Sequence, residues 1–418
     1  MPPPLPPARG MVRDRGAGAP PNTLGVENAT RTCYLLKTIR GAYYENARIR
    51  QQVTLDREER KERQLASSGS TLKILVRAKY LFLEISNLEI HGMEVWEIAK
   101  TDGKYEKIIT EVERMGCGDL AGVFRRDLET MRLIVDLRNR FSSHPTFAHG
   151  AAIARIEKAG FGELWQCARR LLLLKDAIEA ASREDASPTG AADGGLRISG
   201  FPYRIPTAEE RHVVKRAHEG PRHRPAWPKK CTREIMQECA ACIRVLLDEI
   251  DIASALHGGC PSAENKARLC NTVYSLKYAI LEMHNFIECY KRLKLGDKPG
   301  FLVQKNLYKR FKNQYGAHND KDLRIVSLVE LLNNTRLTQM LVMDMHEALC
   351  VSKRLFEDFE PQRLISLPSR NETVVMDAEI EDVRQRLRDR LGGKFADSEH
   401  ARRCSEFHAY VQDRCGLG

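Results

Sequence analysis

The residues best suited to chemistry occur in two copies of one short segment. Leu137–His144 and Phe311–His318 share the order apolar, basic, Asn, polar, aromatic, two small residues and His. A basic side chain neutralises phosphate oxygens, an amide holds a substrate or orients an imidazole, and a histidine transfers protons near neutral pH. The pattern therefore predicts a site that handles phosphate groups. Its candidate catalytic residues are Arg138, Asn139, His144, Lys312, Asn313 and His318.

A second shared segment lies upstream of each motif. Tyr80–Asn87 and Tyr278–Asn285 agree at Tyr, Leu, Glu and Asn, and two matches in the same order indicate an internal duplication. In each copy the Glu and the Asn stand about one helical turn apart. They either reach the motif from a neighbouring helix or form a hydrogen-bond network between helices. The supporting or substrate-binding candidates are Glu84, Asn87, Arg140, Glu282, Asn285 and Arg310.

The end of the helix decides whether the basic residue and the histidine of one motif can meet. Arg138 and His144 are six positions apart, so on an ideal helix their side chains point about 120° apart. They converge only where the helix ends or bends, and Pro145 and Gly316 predict such ends in the two copies. The alternative is a structural helix end, in which Asn and His cap carbonyl groups and Arg138 pairs with Glu84.

Helical periodicity predicts an all-α fold, and no segment shows the alternation of a strand. Ser68–Thr71 predicts a break between two helices. The expected architecture is two antiparallel four- to five-helix bundles related by the internal duplication. The predicted segments are a disordered Pro/Gly-rich leader at 1–27, a helical domain at 28–186, a basic Pro/Gly-rich linker at 187–228, a second helical domain at 229–360, and a C-terminal helix with a polar tail at 361–418.

The net charge and the composition indicate which kinds of molecule the protein binds. The net charge of +11 and the pI near 9.1 favour polyanions, with nucleic acid ahead of membrane surfaces, because the basic residues are spread along helices. No apolar run is long enough to span a bilayer. The N-terminus has no secretory signal pattern, so we expect a cytoplasmic protein without membrane contact.

The cysteines permit two interpretations. Most of the 12 lie in apolar helical patterns, which is typical of reduced, buried thiols. Cys239 and Cys242 have the spacing of metal ligands, with Cys231 and Cys260 nearby, so a zinc-stabilised regulator is the alternative. Because the pair falls within a continuous helical pattern, we predict core packing, with no metal and no other cofactor.

The motif Arg-Asn-x4-His at the end of an apolar helix resembles the signature of the HEPN superfamily. The resemblance covers Thr71–Arg183 and Ser262–Phe359. It implies helical bundles whose two motifs face each other and cleave RNA without a metal ion, the 2′-hydroxyl attacking the adjacent phosphate to leave a cyclic phosphate. Arg138 would then stabilise the scissile phosphate, Asn139 would be the polar member, and His144 would act as general acid or base or position the 2′-hydroxyl.

The second copy departs from that signature, because Lys312 stands where the family has Arg. Lysine keeps the charge but lacks the bidentate fork of arginine, and Arg310 is a possible substitute. Two hypotheses follow. The chain is a metal-independent endoribonuclease with one composite site, such as a toxin or phage-defence effector, or it is a non-catalytic HEPN-like module that binds RNA or a regulatory protein. Both treat the chain as a pseudo-dimer.

Overall fold

The computed structural model describes residues 29–41 except 30, 34 and 37, then 57–143, 149–182, 229–250, 263–312, 335–356, 365 and 368–395. Within these ranges, side chains are not described for 57–70, 229–231, 263–271, 273, 310, 335–336, 370 and 394. The described residues are mostly helical, which confirms the all-α class.

The first half of the chain surrounds one long helix, α2. In chain order it contains α1 within residues 29–41, α2 (Arg57–Ser86), β1 (Glu89–Ile90), β2 (Met93–Glu94), α3 (Val95–Ile98), α4 (Asp102–Arg114), α5 (Gly118–Leu137), the π-helical turn Arg138–Ser143, α6 (His149–Ala159) and α7 (Phe161–Ser182). Helix α2 packs against α5 and the π-helical turn, which brings the first motif against the first upstream segment.

The second half is built around a helix of similar length, α9. It contains α8 (Lys229–Leu247), α9 (Ala263–Leu293), the 3-10 turn Gly300–Leu302, α10 (Lys305–Phe311), α11 (Thr335–Leu355), α12 (Arg370–Leu391) and the 3-10 turn Gly392–Lys394. Helix α9 packs most extensively against α8 and also contacts α10 and α11. The C-terminal helix α12 returns to the first half and packs on α7.

Two local predictions are wrong. Helix α2 passes through Ser68–Thr71 without a break, because one interior glycine costs only about 1 kcal/mol in a helix that tertiary packing stabilises. After Asn87 the chain forms a short antiparallel hairpin, β1–β2, although the sequence pattern predicts no strand. Its turn residues His91 (φ 50°) and Gly92 (φ 74°) are both left-handed, as a tight hairpin turn requires.

The buried apolar side chains of both halves form one continuous core. Helices α2 and α9 cross inside it, and almost every described side chain of α2 from Thr71 to Ser86 is buried. This crossing sets the position of both motifs, because each motif helix packs on one of the two central helices. The arrangement as two duplicated bundles stays a prediction.

Candidate functional site

The two upstream segments meet face to face where α2 crosses α9. The rings of Tyr80 and Tyr278 stack with centroids 3.9 Å apart and an interplanar angle of 11°. Each hydroxyl then donates a hydrogen bond to the glutamate of the other copy, Tyr80 to Glu282 at 2.7 Å and Tyr278 to Glu84 at 3.0 Å. The exchange is reciprocal and involves equivalent positions of the two segments.

The lysine that precedes each tyrosine in the sequence also pairs with the glutamate of the other copy. Lys79 Nζ lies 2.5 Å from Glu282 Oε1, and Lys277 Nζ lies 2.7 Å from Glu84 Oε1. All four ionic side chains are at most 3% exposed. Buried ion pairs of this kind cost desolvation free energy and are retained when each charge has its partner. The network therefore joins the two central helices by a specific pairing of the two copies.

The two glutamates differ in their partners, because Arg31 of α1 contacts Glu84. Its Nε donates to Glu84 Oε2 at 2.7 Å, whereas Oε2 of Glu282 has no hydrogen-bond partner within the described part of the chain. Burial opposes ionisation of Glu84, but the charges of Arg31 and Lys277 outweigh it and hold the pKa of Glu84 below its usual value. Burial and Arg31 together lower the pKa of Lys277 to about 8.

These contacts assign Glu84 and Glu282 to the network between helices, the second of the two roles that the sequence permits. Neither carboxylate is exposed, and every described partner is a lysine, tyrosine or arginine of the central helices and α1. The pairing of Arg138 with Glu84, expected for a structural helix end, does not occur, because Arg31 and Lys277 occupy that carboxylate.

Arg138 opens the π-helical turn that ends α5. It is 5% exposed, its Nη2 donates to Asn87 Oδ1 at 3.3 Å, and its Nη1 donates to Asn139 Oδ1 at 2.8 Å. Burial lowers its pKa from the usual value. Asn87 thus reaches the motif from a neighbouring helix, as the sequence analysis considered, and links the upstream segment to the motif. Asn139 and Arg140 are exposed, and Arg140 pairs with Asp136 at 2.7 Å.

The π-helical turn is fixed to α2 along its length. Ser142 Oγ donates to the backbone carbonyl of Lys79 at 2.5 Å. The ring of Phe141 lies 5.3 Å from Lys79 Nζ and packs edge-on to His149, with centroids 5.2 Å apart. A π-helical turn widens the backbone and is often found at functional sites. The contacts hold Arg138 in one place relative to the crossing of the central helices.

Lys312 reaches the same region from the second half. It directly follows α10 and is 7% exposed. Burial, together with the charges of Arg138, Arg292 and Lys309, lowers the pKa of Lys312 to about 8 against the opposing charge of Glu288. Two buried cations, one from each motif, therefore lie within electrostatic reach of each other. Asn285 is also buried, and its Nδ2 has no hydrogen-bond partner among the described residues.

The remaining candidates fall outside the described part of the chain. His144, Asn313 and His318 are not described, and of Arg310 only the backbone is described, within α10. The structure thus brings together Arg138, Asn87 and Lys312, and places Asn139 and Arg140 at the adjacent surface.

A buried cluster of Glu238, His149 and Cys242, which the sequence pattern does not mark, lies beside this site. The backbone N–H of His149 donates to Glu238 Oε1 at 2.6 Å, and Cys242 Sγ lies 3.9 Å from His149 Nε2. Burial raises the pKa of Glu238 to about 8, and burial with the nearby Lys79 depresses the pKa of His149 well below its usual value. Both groups are therefore neutral at pH 7. No motif in the sequence marks them, whereas Lys79 and Lys277 were detectable because each precedes its shared tyrosine.

Cys239 and Cys242 are buried in α8, and burial raises the pKa of both thiols. This placement agrees with the core-packing interpretation. Cys260 and the side chain of Cys231 are not described. Among the described residues, no group of three or more His, Cys, Asp and Glu side chains is arranged to hold a metal ion.

The pKa of Glu238 makes a prediction about stability. The pKa of Glu238 is near 8 in the folded chain, and its ordinary value is 4.5. The contribution of this carboxyl to the free energy of unfolding is therefore fully present below about pH 4.5 and is lost as pH rises through 8. Glu238→Gln keeps the acceptor for His149 and removes the titration. We expect it to be more stable than the natural chain at pH 8, by up to about 4 kcal/mol, and nearly equal at pH 4.5.

Urea unfolding at the two pH values measures this difference. The matched control is Asp248→Asn, an exposed position directly after the same helix, for which we expect no change between the two pH values. A Glu238→Gln variant whose stability relative to the natural chain does not depend on pH would show that Glu238 titrates normally.

Comparisons with known proteins give no relative for this chain: no protein-family model matches it, and neither a curated protein nor a solved structure matches it. Within the described ranges, no helix is both long and apolar enough to cross a membrane.

Proposed function

We propose that this chain is a metal-independent endoribonuclease whose single composite site is formed by the two motifs. The observation that carries the proposal is the burial of Arg138 and Lys312, two cations from equivalent positions of a repeated motif, within electrostatic reach of each other. Like charges buried together cost free energy, and a bound anion between them offsets that cost. A phosphate group of an RNA backbone is such an anion.

The chemistry follows from the residue types. Arg138 and Lys312 neutralise the charge that develops on the phosphate when the 2′-hydroxyl attacks the adjacent phosphorus. His144 removes the 2′-hydroxyl proton or protonates the leaving 5′-oxygen, and His318 is its counterpart. Asn87 orients Arg138 through the hydrogen bond to Nη2, and so acts as a positioning residue. The products are a 2′,3′-cyclic phosphate and a 5′-hydroxyl end.

The repeated network supports the duplication on which this proposal rests. Lys79, Tyr80 and Glu84 contact Tyr278, Glu282 and Lys277 in a reciprocal pattern. Such reciprocity is the geometry of a twofold interface between identical partners. Two bundles of one design, joined in one chain, account for it.

A non-catalytic module that binds RNA or a protein is the second candidate. It is favoured by one observation, the small exposed fraction of Arg138 together with its hydrogen bonds to Asn87 and Asn139. In that case Arg138 and Lys312 bind a phosphate group, and the RNA backbone is not cleaved.

Cleavage of RNA in EDTA separates the two candidates. The purified chain is expected to cut unmodified RNA and leave a cyclic phosphate, and to leave 2′-O-methyl RNA of the same sequence intact, since that RNA lacks the attacking hydroxyl. Binding of both RNAs without cleavage of either would favour the non-catalytic module.

A further inference from the structure

The segments that connect Asn to the basic motif residue carry opposite charge in the two copies. Between Asn87 and Arg138, residues 88–137 include 7 basic and 11 acidic residues. Between Asn285 and Lys312, residues 286–311 include 7 basic and only 2 acidic residues. A duplication that conserves the central network has therefore diverged in the electrostatics of its two sides.

The structure shows that the excess charge of the second connector lies at the surface. The lysines at positions 294, 298, 305 and 309 are all exposed, and within the described ranges they make no ion pair. They follow the C-terminal end of α9 and continue along α10, which ends directly before Lys312. An exposed row of cations therefore leads to the buried basic residue of the second motif.

The first connector uses its basic residues differently. Arg125 pairs with Glu106 and Glu113, and Arg132 pairs with Asp102 and Glu129, so carboxylates on α4 and α5 neutralise these guanidinium groups. With four more acidic than basic residues in this connector, the surface repels a polyanion. The two sides of the composite site are thus unequal: one attracts an anionic strand and the other does not.

We propose that a single strand of RNA lies along the basic segment 291–312 of the second copy and that only the scissile phosphate reaches Arg138 of the first copy. The second copy is then the strand-binding half and the first copy the reacting half. This inference rests on the proposed function for the phosphate at Arg138. It also gives Lys312 a role, because a compact cation suffices for holding a backbone phosphate, whereas the bidentate arginine stands at the reacting one.

Fluorescence anisotropy with a labelled, non-cleavable 2′-O-methyl RNA tests the strand path. The variant K294Q/K298Q/K305Q removes three exposed cations away from the motif. The matched control K107Q/R126Q/K158Q removes three exposed cations of the first half. We expect the first variant to bind at least about tenfold more weakly and its log affinity to depend on log salt with a slope shallower by about 2 between about 50 and 200 mM KCl. The control should change affinity less than about twofold.

Equal weakening by both variants would overturn the inference, since it would mean that the whole basic surface attracts RNA without a defined path. Binding of polyglutamate to the natural chain as tightly as RNA would also overturn it, in favour of an acidic protein partner. Circular dichroism of both variants confirms that they fold. The outcome does not depend on cleavage. If the chain never cuts RNA but the first variant loses more RNA affinity than the control, the strand path is supported and only the proposed reaction is excluded.

Discussion

Replacing Arg138 by alanine is expected to reduce the rate of RNA cleavage by about a thousandfold or more, because in the proposed reaction it removes the bidentate cation that stabilises the phosphate in the transition state. The guanidinium is buried and held by Asn87 and Asn139, so no other described cation takes its position without moving the turn. Cleavage of a fluorescent RNA in EDTA, measured as kcat/KM, gives the result.

Arg140→Ala is the matched control for Arg138→Ala. It removes the same side chain from the same π-helical turn, but at an exposed position where Arg140 pairs only with Asp136 among the described carboxylates. We expect a loss of less than about threefold, as is usual for an exposed ion pair. Thermal unfolding of both variants separates lost chemistry from lost folding. Equal activity of Arg138→Ala and the natural chain would exclude a role for Arg138 in the reaction.

Replacing Glu84 by alanine is expected to lower the free energy of unfolding by about 3–5 kcal/mol, because Arg31 and Lys277 would stay buried without their carboxylate. The loss for Glu282→Ala should be smaller, since only Lys79 among the described cations pairs with it. Urea unfolding of the two variants measures both differences.

Glu129→Ala is the control for the glutamate variants. Its carboxylate is exposed and pairs with the partly exposed Arg132, so we expect a change within about 0.5 kcal/mol. If Glu84→Ala is as stable as Glu129→Ala, the buried network contributes little to the free energy of unfolding. A larger loss of stability for Glu282→Ala than for Glu84→Ala would contradict the role of Arg31.

The pattern of the sequence predicted the elements that depend on local periodicity. The all-α class was predicted because apolar residues recur with a helical period, and the described residues are mostly helical. The sequence allowed Asn87 either to reach the motif from a neighbouring helix or to join a hydrogen-bond network between helices, and the structure gives its contact with Arg138. These predictions needed only spacing and residue type.

Features that depend on contacts between distant residues could not be predicted from the local sequence pattern. Burial of Thr71 cannot be judged from composition, so a sequence rich in Gly and Ser was interpreted as a break although α2 continues through it. The pairing of Glu84 with Arg31 joins residues 53 positions apart, and no local pattern specifies it. Lys79 and Lys277 did carry a signal, since the repeated segment begins one residue earlier than the shared tyrosine.

A double-mutant cycle on Arg138 and Lys312 tests the central claim that the two motifs form one site. If they act on the same phosphate, kcat/KM for RNA should fall about a thousandfold in Arg138→Ala and about tenfold or more in Lys312→Ala, and the double variant should be no worse than about threefold below Arg138→Ala alone. Losses that multiply in the double variant, with both single variants folded, would show that the two residues act independently and would contradict a composite site.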